Sequence, residues 1–599
     1  MIEVAPGVHC FPDTCNVYVV CSGNEATLID FGSGAVLDRL PELGVRATDV
    51  LVTHHHRDQV QGLARAAEAG IRIWVPPVEV ELIAGVDEHW QSRQLDNDYD
   101  LRQDRFSLLE QVQVSGTVAE YRSRRYGGVE VHALPTPGHT PGSVTYLVER
   151  DGRRLAFTGD LLYGDGRVWS LAATQWTYGG MEGPAATHVS CGVLGSRDPD
   201  LLLPSHGAPI GEPSRALAQL RERLQELVDL RREQPWDLDD WLARPFDPVT
   251  PHLLRNRTCL AHSYALLSDS GAALLIDFGY DLSTGTSAAT ERAARRPLLA
   301  SLDALHRDYG IDKVEVVVPT HYHDDHVAGI NLLREVEGTE VWAPENVAPV
   351  LEEPHRYDLP CLWFDPVAVD RRLPLGTQIA WREYELSLHP LPGHTLYAAA
   401  ISFEVDGTRV LARGDQEATE GERDIANYYY RNRFRIDDYV ASADLYRRLR
   451  PEVIVSGHWY PRAVSDAYLD RLAADGQRLA ELHRELLPLG DADFGAEGVG
   501  ARIEPYRSDV AAGEDVRLAV TILNPFDRDA ESVVRLVAPD GWLVDPPQHA
   551  RTLPPRGEAG LEFLVRPAPT PVRRARVAAD LTVGGVMFGQ QAEALVDVT

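Results

Sequence analysis

The chain has 599 residues, 44% of them hydrophobic and 25% charged, and a formal net charge of −32. This is ordinary globular composition at a length too great for one hydrophobic core, so two to four domains are expected. Its 90 acidic against 58 basic residues weigh against nucleic acid and anionic membrane as partners and leave a small-molecule substrate as the expected one.

The first residues carry no basic stretch followed by an apolar one, so no signal peptide is read. No apolar run reaches the ~18 residues of a membrane span. Six cysteines are thinly spread without a CxxC pair. They read as free thiols of a cytoplasmic protein, with a bridge among Cys10, Cys15 and Cys21 as the alternative. Oligomeric state is not legible.

In chain order, residues 16–20 and 26–30 read as strands. Apolar runs then end, one after another, in polar turns: Thr53-His54-His55-His56-Arg57-Asp58-Gln59, Thr136-Pro137-Gly138-His139, Thr158-Gly159-Asp160 and Pro204-Ser205-His206. Residues 213–233 place Leu217, Leu220, Leu224, Leu227 and Leu230 at helical spacing. Pro235, Pro245, Pro248 and Pro251 mark a link.

Beyond the link the series repeats. Ile29-Asp30-Phe31-Gly32 returns as Ile276-Asp277-Phe278-Gly279, and Thr14-Cys15 as Thr258-Cys259. Thr320-His321-Tyr322-His323-Asp324-Asp325-His326 follows the strand-like run 314–318. Pro392-Gly393-His394, Arg413-Gly414-Asp415 and Ser456-Gly457-His458 come after it. His139 to Asp160 and His394 to Asp415 are both 21 residues, and Asp160 to His206 and Asp415 to His458 are 46 and 43. The interval from Asp30 to His54 is 24 residues and from Asp277 to His321 is 44, which predicts an insertion over 284–305 in the second copy. Residues 465–487, with Leu469, Leu472, Leu479, Leu482 and Leu486, again read as a closing helix.

From about residue 497 the histidine turns stop. Residues 516–522 and 560–565, and less cleanly 533–537, alternate with period two between Pro- and Gly-rich turns, which predicts an antiparallel sandwich. It is similar to the immunoglobulin-like sandwich appended to some bacterial enzymes. Structural support or a contact role is expected of it, dispensable for turnover. The expected domains are 1–245, 246–495 and 496–599.

Neutral imidazole and carboxylate are natural ligands of Zn²⁺ and similar divalent ions, and loops beyond strand ends are where α/β folds place such groups. His321 and His323 can face one ion, with Asp325 and His326 directed to a neighbouring position. The five ordered motifs resemble those of the metallo-β-lactamase superfamily, in particular its glyoxalase II-type hydrolase branch. The resemblance implies an α/β fold, an αββα sandwich present twice in tandem. It also implies that His321, His323 and His394 hold one ion, that Asp325, His326 and His458 hold a second, and that Asp415 bridges them. Two ions about 3.5–4 Å apart can acidify a water for attack on an ester, thioester or lactone carbonyl. Asp325 and Asp415 are the catalytic candidates. Zinc is the expected metal, with iron or manganese also accommodated.

The first copy differs at one ligand, Gln59 standing where the second has His326. His54, His56 and His139 can still hold one ion with Asp160 nearby, while Asp58 and His206 alone are a weak second site. The expectation is two ions in the second copy and one in the first. The alternative is a degenerate first copy kept as scaffold. His55 is expected to face away from the ion, as Tyr322 is. Asp277 reads equally as an orienting carboxylate or as a turn residue. Within 427–435, Tyr429, Arg431 and Arg433 are candidate substrate contacts. Trp169, Gln175, Trp176 and Tyr178, within 163–180, are candidates for a pocket beside the first site. A competing reading is a mononuclear iron oxygenase using His321, His394 and Asp415, to which the sulfur dioxygenases of this superfamily are similar.

Overall fold

The computed structural model describes residues 1–92, 104, 107–171, 173–174, 176, 182–230, 237–281, 299–363, 365–490 and 492–599. Gln175 and Tyr178, and the expected insertion up to residue 298, lie outside them.

Each half begins with antiparallel strands in chain order and continues in parallel ones. Among the described residues the first such sheet runs Ile2–Ala5, Val8–Pro12, Asn16–Ser22, Glu25–Ile29, then parallel through Arg46–Leu51, Arg72–Val75 and Gly116–Thr117. The second half repeats it with Phe246–Thr250, Leu253–Asn256, Ser263–Leu267, Ala272–Ile276, Lys313–Val318, Glu340–Pro344 and Arg371–Leu373. The inner strands read as unbroken apolar runs because both their faces are covered; all five residues of Ala272–Ile276 are buried.

A second sheet faces each of these. In the first half its order is Leu201–Pro204, Arg153–Gly159, Val144–Arg150, Val129–Pro135 and Ser123–Tyr126. In the second half it is Gln378–Trp381, Tyr384–Pro390, Ala399–Val405, Thr408–Ala412, Val453–Val455 and Arg462–Ala463. The faces meet through Val20, Ile29, Leu51, Tyr146 and Phe157 in one half and Leu266, Leu274, Leu388 and Ile401 in the other. Helices Glu182–Gly195 and Pro213–Asp229 cover the outer face of the first half's second sheet. Ala300–Tyr309 and Ile330–Glu337 lie on one outer face of the second half, and Asp438–Leu449 and Asp466–Leu486 on the other. The result is helix–sheet–sheet–helix layering, built twice.

The two closing helices bury less of their leucine series than the spacing predicts. Leu217, Leu220 and Leu224 are buried, but Leu230 is 77% exposed and Val228 takes the inward place. In Asp466–Leu486, Leu469 and Leu472 are buried while Leu486 is 78% exposed. Gly476 sets the approach of this helix: a Cβ there would lie 2.7 Å from the Tyr439 carbonyl oxygen, so the helix meets Asp438–Leu449 backbone to backbone.

The C-terminal strands form a sandwich of two sheets, Ala501–Glu504, Val516–Leu523, Glu558–Arg566 and Leu543–Asp545 against Arg507–Val510, Val586–Val598, Val572–Val583, Ala530–Val537 and Gln548–Leu553. Alternate residues of Val516–Leu523 are buried, as the period-two pattern predicts. The sandwich is fixed to the second half by the Tyr506 amide donating to the Arg356 carbonyl at 2.9 Å and by Arg356–Glu504 at 3.1 Å. All six cysteines are free. Among the described residues no helix is long and apolar enough to cross a membrane.

Candidate metal centres

Strand Lys313–Val318 carries the chain to Thr320, and strand Ala272–Ile276, its parallel neighbour, ends at Asp277. Asp277 has φ 61°, a left-handed conformation that the short carboxylate tolerates. Its carboxylate accepts from the Thr320 amide at 2.6 Å and the Thr320 hydroxyl at 2.9 Å, and lies 2.8 Å from His326 Nδ1. Of its two sequence readings the structure supports the orienting one: it holds His326 by one nitrogen and leaves Nε2 for another partner.

The other rings are held likewise. His321 Nδ1 is 3.1 Å from the Thr320 hydroxyl, and His394 Nδ1 is 2.8 Å from the Asn427 carbonyl. The inward atoms of His321, His323 and His394 form one group, and those of Asp325, His326, Asp415 and His458 another, each within 4.8 Å. Asp415 Oδ2 lies 3.1 Å from His458 Nε2 and 4.0 Å from His394 Nε2, so it stands between the groups.

Burial, followed by the neighbouring imidazoles, holds His321 well below its ordinary pKa, and burial brings His323 down to about 3, so both rings are neutral at neutral pH, the state in which imidazole can donate to a cation. At His458 burial disfavours the cation, but the Asp415 and Asp325 carboxylates outweigh it and push the ring up to about 10. The second group therefore attracts positive charge. His321 Nε2, His326 Nε2 and Asp415 Oδ1 are buried without a hydrogen-bond partner. Buried polar atoms are normally satisfied, and these three converge with the donor chemistry a divalent cation takes. The residues present fit such ions.

In the first half, His54, His56 and His139 again group within 4.8 Å, and Asp58, Asp160 and His206 form a second group. His54 Nε2 is buried and unpartnered. Gln59 occupies the backbone position of His326, its carbonyl accepting from Phe31 as that of His326 accepts from Phe278. Its side chain donates from Nε2 to Asp160 at 3.3 Å and leaves Oε1 buried without a partner. His206 is tied at both ring nitrogens, Nδ1 to Asp160 at 2.8 Å and Nε2 to Asp58 at 3.2 Å. His55 faces away, as expected, with Nδ1 3.2 Å from the buried Glu79 carboxylate. Trp169 stacks flat on His206 at 4.1 Å, and Trp176 is buried.

Of the candidate substrate contacts, Tyr429 is 58% exposed with its ring 5.7 Å from that of His394. Arg431 and Arg433 instead line a cleft against the C-terminal sandwich. Two residues escape the sequence reading. Asn432 donates to the His394 carbonyl at 3.0 Å and lies 3.4 Å from His323 Nε2. His262 is bonded through its amide to the Gly457 carbonyl, and its Nδ1 is buried and unpartnered. Neither lies in a histidine-rich turn, and only the packing of distant loops brings them in.

The profile of the metallo-beta-lactamase superfamily matches residues 10–226 and 257–458. A hydroxyacylglutathione hydrolase of Methylobacterium nodulans is 34% identical over 139 residues, which are 23% of this chain and 43% of that protein. This chain thus spans less than half of that relative's length. An uncharacterised protein of Bacillus subtilis is 29% identical over 235 residues, 36% of this chain and 92% of that one. Among solved structures, a metallo-beta-lactamase family protein from Thermus thermophilus is similar at 18% identity and a TM-score of 0.31, covering 38% of this chain and 82% of that one.

Proposed function

From the premise that this chain belongs to the metallo-beta-lactamase superfamily, we propose a metal-dependent hydrolase of an ester, thioester or lactone-type bond, acting chiefly at the second centre. The observation that carries this is the second half's complete set of seven converging ligand atoms, with His321 Nε2, His326 Nε2 and Asp415 Oδ1 buried and otherwise unpartnered. The hydrolase name of the Methylobacterium relative supports the acyl-bond class.

His321, His323 and His394 would hold one ion, and Asp325, His326 and His458 the other, with Asp415 shared. Bound there, two divalent ions supply a water acidic enough to attack at neutral pH and stabilise negative charge on a carbonyl oxygen. The chain's own residues do the rest. Asp277 keeps His326 in the tautomer that presents Nε2. The Asp325 carboxylate, brought down to about 2 because His326 and His458 outweigh its burial, stays charged at neutral pH and so offers its full negative charge to a cation. Tyr429 offers an apolar face beside His394. The first half would hold one ion through His54, His56 and His139.

The test is metal content and turnover on a thioester and lactone panel, for wild type, His323→Ala and His56→Ala. Loss of turnover in the first variant with retention in the second is expected. The reverse result overturns the assignment, and a wild-type content of one ion or none after loading with Zn²⁺, Mn²⁺ or Fe²⁺ overturns the two-ion centre.

A further inference from the structure

The short 3-10 turn Tyr430–Asn432 has two sides. Asn432 points to His323 and His394, while Arg431 and Arg433 line a cleft of about 360 Å³ whose other wall is the C-terminal sandwich. The sandwich contributes Arg502 from strand Ala501–Glu504 and Gln590 and Gln591 from strand Val586–Val598. Gln591 is held in place by accepting from the Gly500 amide at 3.1 Å.

The three guanidinium groups are loosely paired with acids. Arg431 lies 3.5 Å from Asp358, Arg502 3.4 Å from Glu497 and Arg433 4.0 Å from Glu504. Arg433 is steadied instead by donating to the Tyr397 hydroxyl. Charge-assisted hydrogen bonds run at about 2.7–2.9 Å, and this protein makes them elsewhere: Arg566 reaches Asp515 at 2.7 and 2.9 Å, and Arg423 reaches Asp475 at 2.7 and 2.8 Å. Arg502 Nε is in addition buried without a partner. Asp358, Glu497 and Glu593 line the same cleft, so three guanidinium groups and three carboxylates surround one concave space; because the pairs are long, the planar donor forks keep hydrogen-bonding capacity for an entering group.

We propose that this cleft binds an oxyanion group, a carboxylate or phosphate, on the tail of the molecule worked on at the second centre, and that the sandwich is therefore part of the substrate site. This extends the hydrolase reading, with Arg502 a specificity residue supplied by the third sheet system. Arg431 and Arg502 grip the group from opposite walls. Glu497 competes with it for Arg502.

The experiment is titration calorimetry on the full-length, metal-loaded chain, with succinate and inorganic phosphate as separate probes. It needs no turnover, so it stands or falls apart from the hydrolase reading. Saturable binding of succinate marks a carboxylate site and of phosphate a phosphate site. Arg502→Gln and Arg431→Gln should each weaken binding about tenfold or more, the effect of losing a charged hydrogen-bond donor. Glu497→Gln should tighten it, a change of opposite sign that mere disturbance of the interface would not produce. Arg517→Gln, exposed on the same sandwich, should change nothing. The Arg431 side chain is 80% exposed, so its replacement spares the fold even if Arg502→Gln proves unstable. Failure of both probes to bind, indifference of binding to Arg431→Gln, or weakening in Glu497→Gln overturns the proposal.

Discussion

One residue separates the two metal groups chemically. Asp30 and Asp277 occupy matching left-handed positions at φ 57° and 61°. Each fixes the threonine that precedes the first ligand histidine. Asp277 also holds His326, whereas Asp30 accepts from the Ser205 hydroxyl at 2.6 Å. The first half thus already contains a carboxylate that could orient a histidine at position 59. Gln59→His should raise the bound metal by about one ion over wild type, from the three proposed to four, measured by elemental analysis after gel filtration; an unchanged count would show that Trp169 stacked on His206, or another feature, closes the position. Conversely, Asp277→Asn should weaken metal binding at the second centre by about 10- to 100-fold, the usual cost of losing the partner that orients a ligand histidine. Competition with a chelator of known affinity checks this.

At the scale of elements, the loop carrying Asp415 is anchored from behind. Arg413, buried at the end of strand Thr408–Ala412, meets Asp424 at 2.8 Å and Glu417 at 3.0 Å, and donates to the Tyr468 hydroxyl at 2.7 Å. It thereby ties the hairpin Glu417–Glu420 and Arg423–Ala426 and the helix Asp466–Leu486 to the strand that presents Asp415. Arg413→Met would leave the buried Glu417 without a cationic partner, the Tyr446 hydroxyl at 3.0 Å remaining, while Asp424 keeps Arg462 at 2.9 Å; it should cost about 3 kcal/mol, read as a lower denaturant midpoint for the second half. Helix Asp438–Leu449 supplies a pH effect. Burial raises Asp438 to about 6, above its ordinary 3.8. A carboxyl raised in the folded state contributes stability below its unfolded pKa and loses it as pH climbs through about 4 to 6. Asp438→Asn keeps an acceptor for the Arg435 amide, now bonded at 2.8 Å, and should be more stable than wild type at pH 7 by about 3 kcal/mol with no difference near pH 3. Melting curves across that range decide it.

For the whole molecule, the duplicated halves carry the ligand clusters and the sandwich carries none among the described residues. Chelation should therefore lower the melting transitions of the halves and leave that of the sandwich unmoved, as mass action predicts for a ligand bound only to the folded halves. A chain cut near residue 495 should keep its metal count; loss of metal in that fragment would show that the sandwich supports the centre directly. The expectation that the sandwich is a dispensable appendage gives way, in our proposal, to a role in substrate selection, because its strand Ala501–Glu504 closes a cleft that the turn at Asn432 opens.

The amino-acid sequence by itself determined the duplication, the alternating strands of the sandwich and the histidine- and aspartate-bearing turns, while the four-layered halves and the grouping of those side chains were implied by the family resemblance the turns carry. These are local in origin: strand periods, turn glycines and ligand-bearing loops at strand ends are written in runs of a few residues. The absence of a histidine at position 59 is likewise visible in the chain alone. Only the tertiary structure decided which atoms are left over. It showed that Asp277 holds His326, that Asn432 packs against His323 and His394, that His262 bonds to the Gly457 carbonyl, and that Arg431 and Arg433 line the cleft against the sandwich. It also showed that Leu230 and Leu486 leave the core at the ends of their helices. Each of these depends on contacts between segments far apart in the chain, set by how sheets, helices and loops meet; no pattern of residues within one segment encodes such a meeting.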